Sequence, residues 1–352
     1  MNQSVVDVLV IGAGQAGLVA GYYLSNKGWN FLLIDQGGEI GEVWRNRYDS
    51  LQLFTPRWYS SLPGLKLDGS QEDVPSKDEI ADYLQLYART YDFPTHLQTK
   101  VTRLQKIKDV FTITTTDRIY LAKHVIIATG PFQKPFIPQF AQELSADVQQ
   151  IHSAEYHNPS QIAEGNSLVI GAGNSGAQIA VELAQTKRNV TISTGHPLRY
   201  KPLKIAGKSI FWWLKKMGIV RMPKHSWIGK WLSKRSDPIF GKELQHLIKL
   251  GQISISPRAT QAVDRVVTFE NGEQLEVTSI IWATGFQSDF NWVDIPNVLD
   301  SRGNPNHHKG VSKIDGLYFL GLPWQNSRGS ALIGGVRDDA KYLVELITSK
   351  QL

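Results

Sequence analysis

The chain carries the same glycine-rich motif twice, and this doubling limits the possible folds more than any other feature. Each copy is a GxGxxG pattern between a short apolar run and an alanine-rich segment; the glycines are Gly12, Gly14 and Gly17 in the first copy and Gly171, Gly173 and Gly176 in the second. A strand, a glycine turn and a helix in this order bring backbone N–H groups close to a pyrophosphate, although one copy alone is a weak signal. Two copies predict two bound dinucleotides and electron transfer between them.

Each motif is followed by a hairpin pattern and then by an Ala-Thr-Gly triplet, so the chain consists of two similar units. The triplets are Ala128, Thr129 and Gly130 in the first unit and Ala283, Thr284 and Gly285 in the second. This order predicts an α/β fold with two Rossmann-like domains, one inserted into the other. We expect a first dinucleotide-binding domain at 1–157 plus 286–352 and a second, inserted dinucleotide-binding domain at 158–285.

Two helices have clear sequence signals. Ser76 and Glu79 form a potential capping box before an apolar helix face. Near the C-terminus, residues 331–335 lead into a helix with Ala340, Leu343, Val344 and Ile347 on one face. The N-terminus of this second helix is expected to point at the cofactor of the first unit, where its free N–H groups would favour negative charge.

The composition excludes several classes of protein. The chain has 352 residues and no cysteine, so a redox-active cysteine pair of the thioredoxin or glutathione reductase type is excluded. No metal site is predicted. The sequence shows neither a signal peptide nor an apolar run long enough to span a bilayer, and a cytoplasmic location is expected.

A basic, aromatic segment at about 199–249 has a large excess of positive charge. It contains 13 Lys or Arg residues and two acids, within a chain of net charge +6. Its tryptophans and lysines favour a helical excursion of the second domain that covers the active-site entrance over a helix lying on a membrane surface. No nucleic-acid recognition motif accompanies it, and the aromatic-rich surface is compatible with a homodimer.

The residues that end the second strand of each unit indicate which nucleotide each unit binds. Asp35 follows the apolar run 31–34, about 20 residues after the first glycines, where a carboxylate binds the ribose hydroxyls of FAD or NAD. In the second unit Ser193, Thr194 and His196 replace the acid. Nearby cations favour a 2′-phosphate and therefore NADPH, with NADH as the alternative; they are Lys187, Arg188, Arg199, Lys201 and Lys204.

With these motifs the sequence resembles the short bacterial flavin-containing monooxygenases. Besides the two glycine motifs, residues 41–45 are similar to the family's Gly-x-x-Trp-Arg stretch beside the flavin, and His152 with Tyr156 is similar to the end of its linker fingerprint. Two features depart from the family pattern. Residues 146–148 lack the family's Phe-x-Gly, and Phe54 stands where many members carry an active-site Asn.

The resemblance implies that NADPH reduces FAD, that O₂ then forms a flavin C4a-hydroperoxide, and that its distal oxygen passes to a small sulfide or amine. The cofactors carry this chemistry, while the protein orients them and excludes water. Two alternatives stay open: a flavin reductase or oxidase that passes electrons to another acceptor, and a flavin redox sensor associated with a transporter.

The candidate residues fall into three groups. Those expected at the reaction centre are Trp44, Arg45, Gln52, Thr55 and Asn326, with Trp324, Gln325 and Ser327 beside them. Those expected to bind FAD are Gly12, Gly14, Gln15, Ala16, Gly17, Asp35, Gln36, Val43, Trp44, Gln52, Val101, Ala128, Thr129, Gly130, Gly321 and Leu332. Those expected to bind the nicotinamide nucleotide are Gly171, Gly173, Asn174, Ser175, Gly176, Ser193, Thr194, His196, Arg199, Ala283, Thr284 and Gly285.

Overall fold

A computed structural model describes residues 5–186 and 188–350. Its strands, numbered in chain order, are Val5–Ile11 (β1), Phe31–Ile34 (β2), Thr95–His96 (β3), Val101–Ile107 (β4), Val110–Thr115 (β5), Ile119–Ile127 (β6), Lys134–Pro135 (β7), Gln149–His152 (β8), Asn166–Ile170 (β9), Asn189–Ser193 (β10), Tyr200–Lys201 (β11), Lys204–Ile205 (β12), Lys208–Ser209 (β13), Ile239–Phe240 (β14), Ile253–Ser256 (β15), Ala259–Val263 (β16), Val266–Phe269 (β17), Gln274–Glu276 (β18), Ser279–Trp282 (β19), Phe286–Gln287 (β20), His307–His308 (β21), Val311–Ser312 (β22) and Leu317–Phe319 (β23). Its α-helices are Gln15–Asn26 (α1), Glu42–Arg45 (α2), Arg57–Ser60 (α3), Lys77–Thr90 (α4), Asn174–Gln185 (α5), Ile210–Lys216 (α6), Trp227–Ser233 (α7), Glu243–Lys249 (α8) and Val336–Ser349 (α9).

The first sheet has nine strands and is built around β1. β1 pairs in parallel with β2 and β6, so that Val10 lies opposite Leu33 on one side and Ile126 on the other. β23 extends the sheet in parallel beyond β6. The apolar run of β1 is buried because helices α1, α4 and α9 pack against one face and the β4–β5 hairpin contributes to the core on the other.

The second sheet has five parallel strands in the order β15-β10-β9-β19-β8. β9 precedes the second glycine turn as β1 precedes the first, and β19 precedes the second Ala-Thr-Gly triplet as β6 precedes the first. This correspondence confirms the α/β fold with two dinucleotide-binding sheets, the second inserted into the first. The expected boundary at 157/158 stays a prediction, and the pairing of β8 with β19 favours a crossing before Gln149.

The segments that connect the two sheets lie side by side. β7, in the first crossing, pairs antiparallel with β20, in the return crossing, and Phe286 lies opposite Pro135. The insertion is therefore held at its base by main-chain hydrogen bonds between the two connections.

Both helix signals in the sequence correspond to helices in the structure. At the start of α4 the Ser76 hydroxyl accepts a hydrogen bond from the Glu79 N–H at 3.3 Å, and the Glu79 carboxylate accepts one from the Ser76 N–H at 2.8 Å. This confirms the capping box. Helix α9 follows residues 331–335 and buries the predicted apolar face.

The basic segment forms three short helices and four two-residue strands rather than one long amphipathic helix. Helix α6 buries Ile210 and Phe211 against Tyr59 of α3 in the first domain. Helix α7 directs both of its tryptophans outward: Trp227 is 80% exposed and Trp231 is 50% exposed. The segment is thus a packed excursion with an exposed outer surface.

Candidate dinucleotide sites and reaction centre

The two glycine turns have the same geometry, and the third glycine of each is required by close packing. A Cβ on Gly17 would overlap the carbonyl oxygen of Gly12, and one on Gly176 would overlap that of Gly171. These contacts let the first turn of α1 and of α5 lie against the preceding strand. A larger residue at either position would push the helix away from its sheet.

The middle glycines differ, because no protein atom lies close to where a side chain would be. A Cβ on Gly14 or on Gly173 would have no neighbour within 4 Å. Both glycines are the N-caps of their helices, without a side-chain cap. An open surface in front of free helix N–H groups fits the diphosphate of a dinucleotide at each turn.

The Ala-Thr-Gly triplets recur because each lies against the first glycine of its turn. A Cβ on Gly12 would come within 2.6 Å of the Ala128 carbonyl oxygen, and one on Gly171 would overlap that of Ala283. Gly12 and Gly171 also have φ angles of 106° and 107°, which favour glycine. The repeated triplet therefore reflects a repeated contact: in each domain the end of β6 or β19 lies against the glycine turn.

Asp35 lies where an adenosine ribose is expected in the first domain. One oxygen of its carboxylate accepts a hydrogen bond from the Ala13 N–H at 2.6 Å, and the other accepts one from the Gly37 N–H at 2.8 Å. These bonds fix the carboxylate and leave lone pairs for ribose hydroxyls. The site fits FAD.

Ser193 has a different environment from Asp35. Its hydroxyl is buried, donates to the Pro257 carbonyl at 2.7 Å and accepts from the Ala259 N–H at 3.0 Å. Its hydrogen bonds thus connect β10 to the loop after β15. Thr194 donates to the His196 carbonyl at 2.8 Å, so the turn after β10 is closed by its own groups.

Several of the expected cations are directed elsewhere. Arg199 donates to the carbonyl and hydroxyl oxygens of Ser236, Arg188 donates to the Ile162 carbonyl, and Lys204 pairs with Asp73. Lys187 lies outside the described residues. Sequence reasoning missed Arg258, whose guanidinium lies beside Gly195 at the end of β10.

Two candidate reaction-centre residues on α2 face different neighbours. The Trp44 Nε1–H donates to Gln15 at 3.3 Å, which places the indole over the first turn of α1. Arg45 instead points toward α4 and binds Asp78 and Asp82 there, together with Glu39. The pKa of Arg45 is raised, chiefly by its hydrogen bond to Asp82. A catalytic role for Arg45 stays a prediction, whereas its contacts are those of a residue that anchors α2.

Gln52 and Thr55 also lie in different surroundings. The Gln52 carbonyl accepts a hydrogen bond from Gln178 of α5 at 3.1 Å, so this segment touches the second domain. Thr55 is buried, with its hydroxyl 2.8 Å from that of Ser60. Between them, Phe54 stacks on Phe240 with ring centroids 4.7 Å apart.

An aromatic cluster made of Phe54, Tyr59, Phe211 and Phe240 joins the first domain to the basic excursion. The Tyr59 and Phe211 rings lie 5.1 Å apart, and burial raises the pKa of Tyr59. The Tyr59 hydroxyl has no hydrogen-bond partner within the described residues. Phe54, which replaces the expected Asn, is therefore a packing residue at the contact between the domain and the excursion.

Asn326 belongs to a loop that precedes α9 and is held by the Ser330 side chain. The Ser330 hydroxyl accepts hydrogen bonds from the N–H groups of Asn326 and Ser327 at 3.1 and 3.0 Å. Asp339 of α9 is buried beside them, and burial raises its pKa while Ser330 and Asn326 act against the increase. The sequence did not single out Asp339, because two adjacent acids in a first helical turn are usual.

His152 is buried between the two chain crossings. Its Nδ1 accepts from the Ala154 N–H at 3.1 Å, which makes Nε2 the protonated nitrogen, and Nε2 donates to the Gly285 carbonyl at 3.0 Å. Burial lowers the pKa of His152. The Tyr156 hydroxyl donates to Glu182 of α5 at 2.7 Å. His152 thus bridges the two crossings, and Tyr156 contacts the helix of the second glycine turn; their role as a linker stays a prediction.

Metal ligation and a membrane-spanning helix find no support in the described part of the chain. In residues 5–186 and 188–350, no group of three or more His, Cys, Asp or Glu side chains is arranged to hold a metal ion. Over the same ranges no helix is both long and apolar enough to cross a membrane. The cytoplasmic location and the homodimer stay predictions.

Comparison with known proteins agrees with this geometry. The profile of the pyridine nucleotide-disulphide oxidoreductase family matches residues 9–211. An oxidoreductase of Geobacillus kaustophilus named CzcO-like is 56% identical over 97% of this chain and 98% of its own length. Probable indole-3-pyruvate monooxygenase YUCCA9 of Arabidopsis thaliana is 24% identical over 92% of this chain and 86% of its own length. A solved structure, the flavin-containing monooxygenase from Stenotrophomonas maltophilia, superposes with a TM-score of 0.83 at 25% identity and covers 99% of this chain and 100% of its own.

The fold and its two nucleotide sites define an oxidoreductase with two dinucleotide-binding domains. The chain belongs to the pyridine nucleotide-disulphide oxidoreductase family and groups there with the CzcO-like oxidoreductases. It is an enzyme of the flavin monooxygenase type, and FAD and NADP(H) are the cofactors of that type. Because the chain has no cysteine, it cannot form the redox disulfide to which the family name refers.

Proposed function

We propose that this enzyme is an FAD-dependent, NAD(P)H-using monooxygenase that oxygenates small sulfur- or nitrogen-containing compounds. The observation that carries the proposal is a contrast between two equivalent turns. The first ends its neighbouring strand with the fixed carboxylate of Asp35, and the second places the Arg258 guanidinium at the corresponding strand end. A carboxylate favours the unmodified ribose of FAD, and a guanidinium favours the 2′-phosphate of NADPH.

FAD would bind along the first turn, with its diphosphate over Gly14 and its ribose at Asp35. Trp44 would then lie near the flavin end, because its indole is bound to Gln15 in the first turn of α1. Gly321 is suited to this position, since its φ of 84° favours glycine and a Cβ there would come within 3.0 Å of the Ala16 side chain on α1.

NADPH would bind along the second turn, with its diphosphate over Gly173 and its 2′-phosphate at Arg258. Arg199 is the less favourable candidate, because its guanidinium already donates to Ser236. Tyr48 links the two sites, since its hydroxyl donates to Gln178 of α5 at 3.0 Å. Burial raises the pKa of Tyr48 to about 12, so it remains a neutral donor.

The proposed overall reaction consumes NADPH, a proton, O₂ and a sulfide, and it yields NADP⁺, water and a sulfoxide. When bound, FAD supplies this chemistry by accepting hydride and forming a C4a-hydroperoxide whose distal oxygen is transferred. The protein's part is to exclude water and orient both nucleotides. The aromatic cluster of Phe54, Tyr59, Phe211 and Phe240 suits the first task, and Asn326, held by Ser330, supplies a positioned amide for the second.

The likeness to named monooxygenases supports the oxygen-transferring reaction. The lack of cysteine supports it as well, because the enzyme has no thiol pair to pass electrons from the flavin to a disulfide.

Isotope labelling tests this proposal. The FAD-loaded enzyme is supplied with NADPH, ¹⁸O₂ and methyl phenyl sulfide or N,N-dimethylaniline, and products are analysed by mass spectrometry. We expect about one labelled oxygen in the sulfoxide or N-oxide for each NADPH consumed, and slower product formation by Gly173→Ala at the same subsaturating NADPH concentration. NADPH consumption that yields hydrogen peroxide and no labelled product would contradict the proposal.

A further inference from the structure

Arg47 lies where the two nucleotide sites meet. Its guanidinium carbon is 5.2 Å from the centre of the Phe132 ring and 5.1 Å from that of Phe286. Phe132 follows Gly130 at the end of β6, and Phe286 follows Gly285 at the end of β19. Nucleotides bind at the carboxyl ends of parallel strands, so Arg47 is held between the binding edges of both sheets.

Across the described ranges, the guanidinium of Arg47 has no carboxylate within ion-pair distance, and no protein oxygen accepts a hydrogen bond from it. Burial lowers the pKa of Arg47, yet a guanidinium in a protein stays protonated. The two aromatic faces stabilise part of this charge, and the N–H groups of the half-buried guanidinium stay free for a ligand.

Neighbouring arginines differ from Arg47 because they have carboxylate partners. Arg45 binds three carboxylates, and Arg57 pairs with Glu79. The bare guanidinium at Arg47 is therefore not a general property of this segment. The Phe132 ring that covers it is itself 58% exposed, so the site opens to solvent and a ligand has access.

We propose that Arg47 binds an oxyanion, and that this oxyanion is the diphosphate of the nicotinamide nucleotide; the inference rests on the proposed function. The adjacent residue supports this choice of ligand. The Tyr48 hydroxyl donates to Gln178 and lies beside Ser175 in the first two turns of α5, which begins at the second glycine turn. Arg47 is thus the chain neighbour of a residue that contacts the helix beginning at this turn, whose open surface at Gly173 fits a diphosphate. A planar guanidinium clamped between two rings is oriented to bind two phosphate oxygens at once.

A substrate carboxylate is the other oxyanion that this site could receive, and it makes a different prediction. NADP⁺ and NAD⁺ share the diphosphate, so loss of Arg47 should weaken both by the same factor. Loss of Arg258 should weaken only NADP⁺. If the ligand is a substrate carboxylate, both nucleotides should bind as they do to the unmodified enzyme.

The test is isothermal titration of FAD-loaded enzyme with NADP⁺ and with NAD⁺ in the absence of substrate. We expect Arg47→Ala to raise the Kd of each nucleotide at least tenfold and Arg47→Lys to raise each by a smaller factor. Arg103→Ala, which removes an exposed guanidinium paired with Asp294, should change neither. Unchanged Kd values in Arg47→Ala, or an increase for NADP⁺ alone, would overturn the proposal.

Two further measurements distinguish a loss of nucleotide binding from a folding defect. Removing a cation without a counter-ion should leave the nucleotide-free Tm unchanged or raise it, and the flavin absorption spectrum should stay unchanged. A lowered Tm with unchanged Kd values would identify Arg47 as a structural residue and overturn the inference. Because binding is measured without O₂ chemistry, weakened binding in an enzyme that oxygenates nothing would refute the proposed function and leave the role of Arg47 intact.

Discussion

The imidazole of His152 donates a hydrogen bond to the carbonyl oxygen of Gly285 at 3.0 Å, and this bond joins the two connections between the domains. His152 ends β8 and Gly285 precedes β20, so the contact lies where the chain enters and leaves the inserted domain. The same ring accepts from the Ala154 N–H at 3.1 Å. A neutral histidine satisfies both partners, whereas a protonated ring would lose the second bond.

The stability of the enzyme should therefore depend on the protonation of His152. Burial holds its native pKa below the value of 6.5 for an exposed histidine. Between those two pKa values the unfolded chain binds more protons, so the free energy of unfolding falls as the pH falls below 6.5, by up to about 1.4 kcal/mol per pH unit. In His152→Gln, which retains a donor and an acceptor, this part of the pH dependence should disappear. Urea unfolding at pH 7.5 and 5.5 measures it, with the exposed His308→Gln as control; equal pH dependence in His152→Gln and the unmodified enzyme would refute it.

Alanine at the middle glycines should separate the two cofactors. A Cβ on Gly14 or Gly173 meets no protein atom within 4 Å, so the fold should tolerate it while the nucleotide diphosphate does not. We expect Gly14→Ala to purify with little FAD, and Gly173→Ala to keep FAD but bind NADPH at least tenfold more weakly. The FAD-to-protein absorbance ratio and NADPH titration measure these outcomes.

The third glycine of the second turn provides the contrast. In Gly176→Ala the new methyl group overlaps the Gly171 carbonyl, and the helix must move. This variant should lower the Tm, whereas Gly173→Ala should not. A Gly173→Ala enzyme with normal affinity for NADPH would show that the diphosphate does not lie over this turn.

Arg258 rather than Arg199 should determine the preference for NADPH. Arg258 lies beside Gly195 at the strand end, while Arg199 donates to Ser236. We expect Arg258→Ala to raise the KM for NADPH at least tenfold and to spare NADH, because a charge-assisted bond to phosphate contributes about 1.5–3 kcal/mol. Arg199→Ala should have the smaller effect. Steady-state kinetics with both nucleotides measures these KM values. Equal effects of Arg258→Ala on the KM for NADPH and for NADH would refute the assignment of the 2′-phosphate site.

Asp339 should destabilise the enzyme at neutral pH. Burial raises its native pKa above 3.8, so the unfolded chain binds fewer protons between these two values and the free energy of unfolding decreases as the pH rises through them. Asp339→Asn cannot ionise, and it should raise the unfolding free energy at pH 7 more than at pH 4. The neighbouring Asp338→Asn serves as the control, because Asp338 is exposed and pairs with Arg221. Chemical denaturation at both pH values measures the difference, and a loss of stability in Asp339→Asn at pH 7 would show that the ionised carboxylate is needed.

The sequence predicted those parts of the site that depend on local chain geometry. The glycine turns, Asp35 and the α4 cap each involve residues within a few positions of one another or a fixed strand–turn–helix unit. Arg258 could not be found in this way. It reaches Gly195 because β10 and β15 pair in parallel, with Ser193 opposite Ser256, and this register depends on the whole second sheet.

Arg47 and Asp339 were missed for a related reason. The surroundings of Arg47 come from two segments far away in sequence, which meet only when β7 pairs with β20. The burial of Asp339 depends on the loop that contains Ser330. Conversely, the sequence placed several cations near the 2′-phosphate that are bound elsewhere, because a count of charges does not reveal which carbonyls and carboxylates those charges meet.

We expect the reduced flavin in this enzyme to react with O₂ and to oxygenate a substrate. The test reduces the FAD-loaded enzyme with NADPH without oxygen, mixes it rapidly with O₂ and records the flavin spectrum. We expect a C4a-hydroperoxide that persists until a sulfide or amine is added and then decays as product forms. Immediate reoxidation with stoichiometric hydrogen peroxide would rule out oxygen transfer and favour a flavin reductase or oxidase, and very slow reduction by either nucleotide would rule it out in favour of a redox sensor.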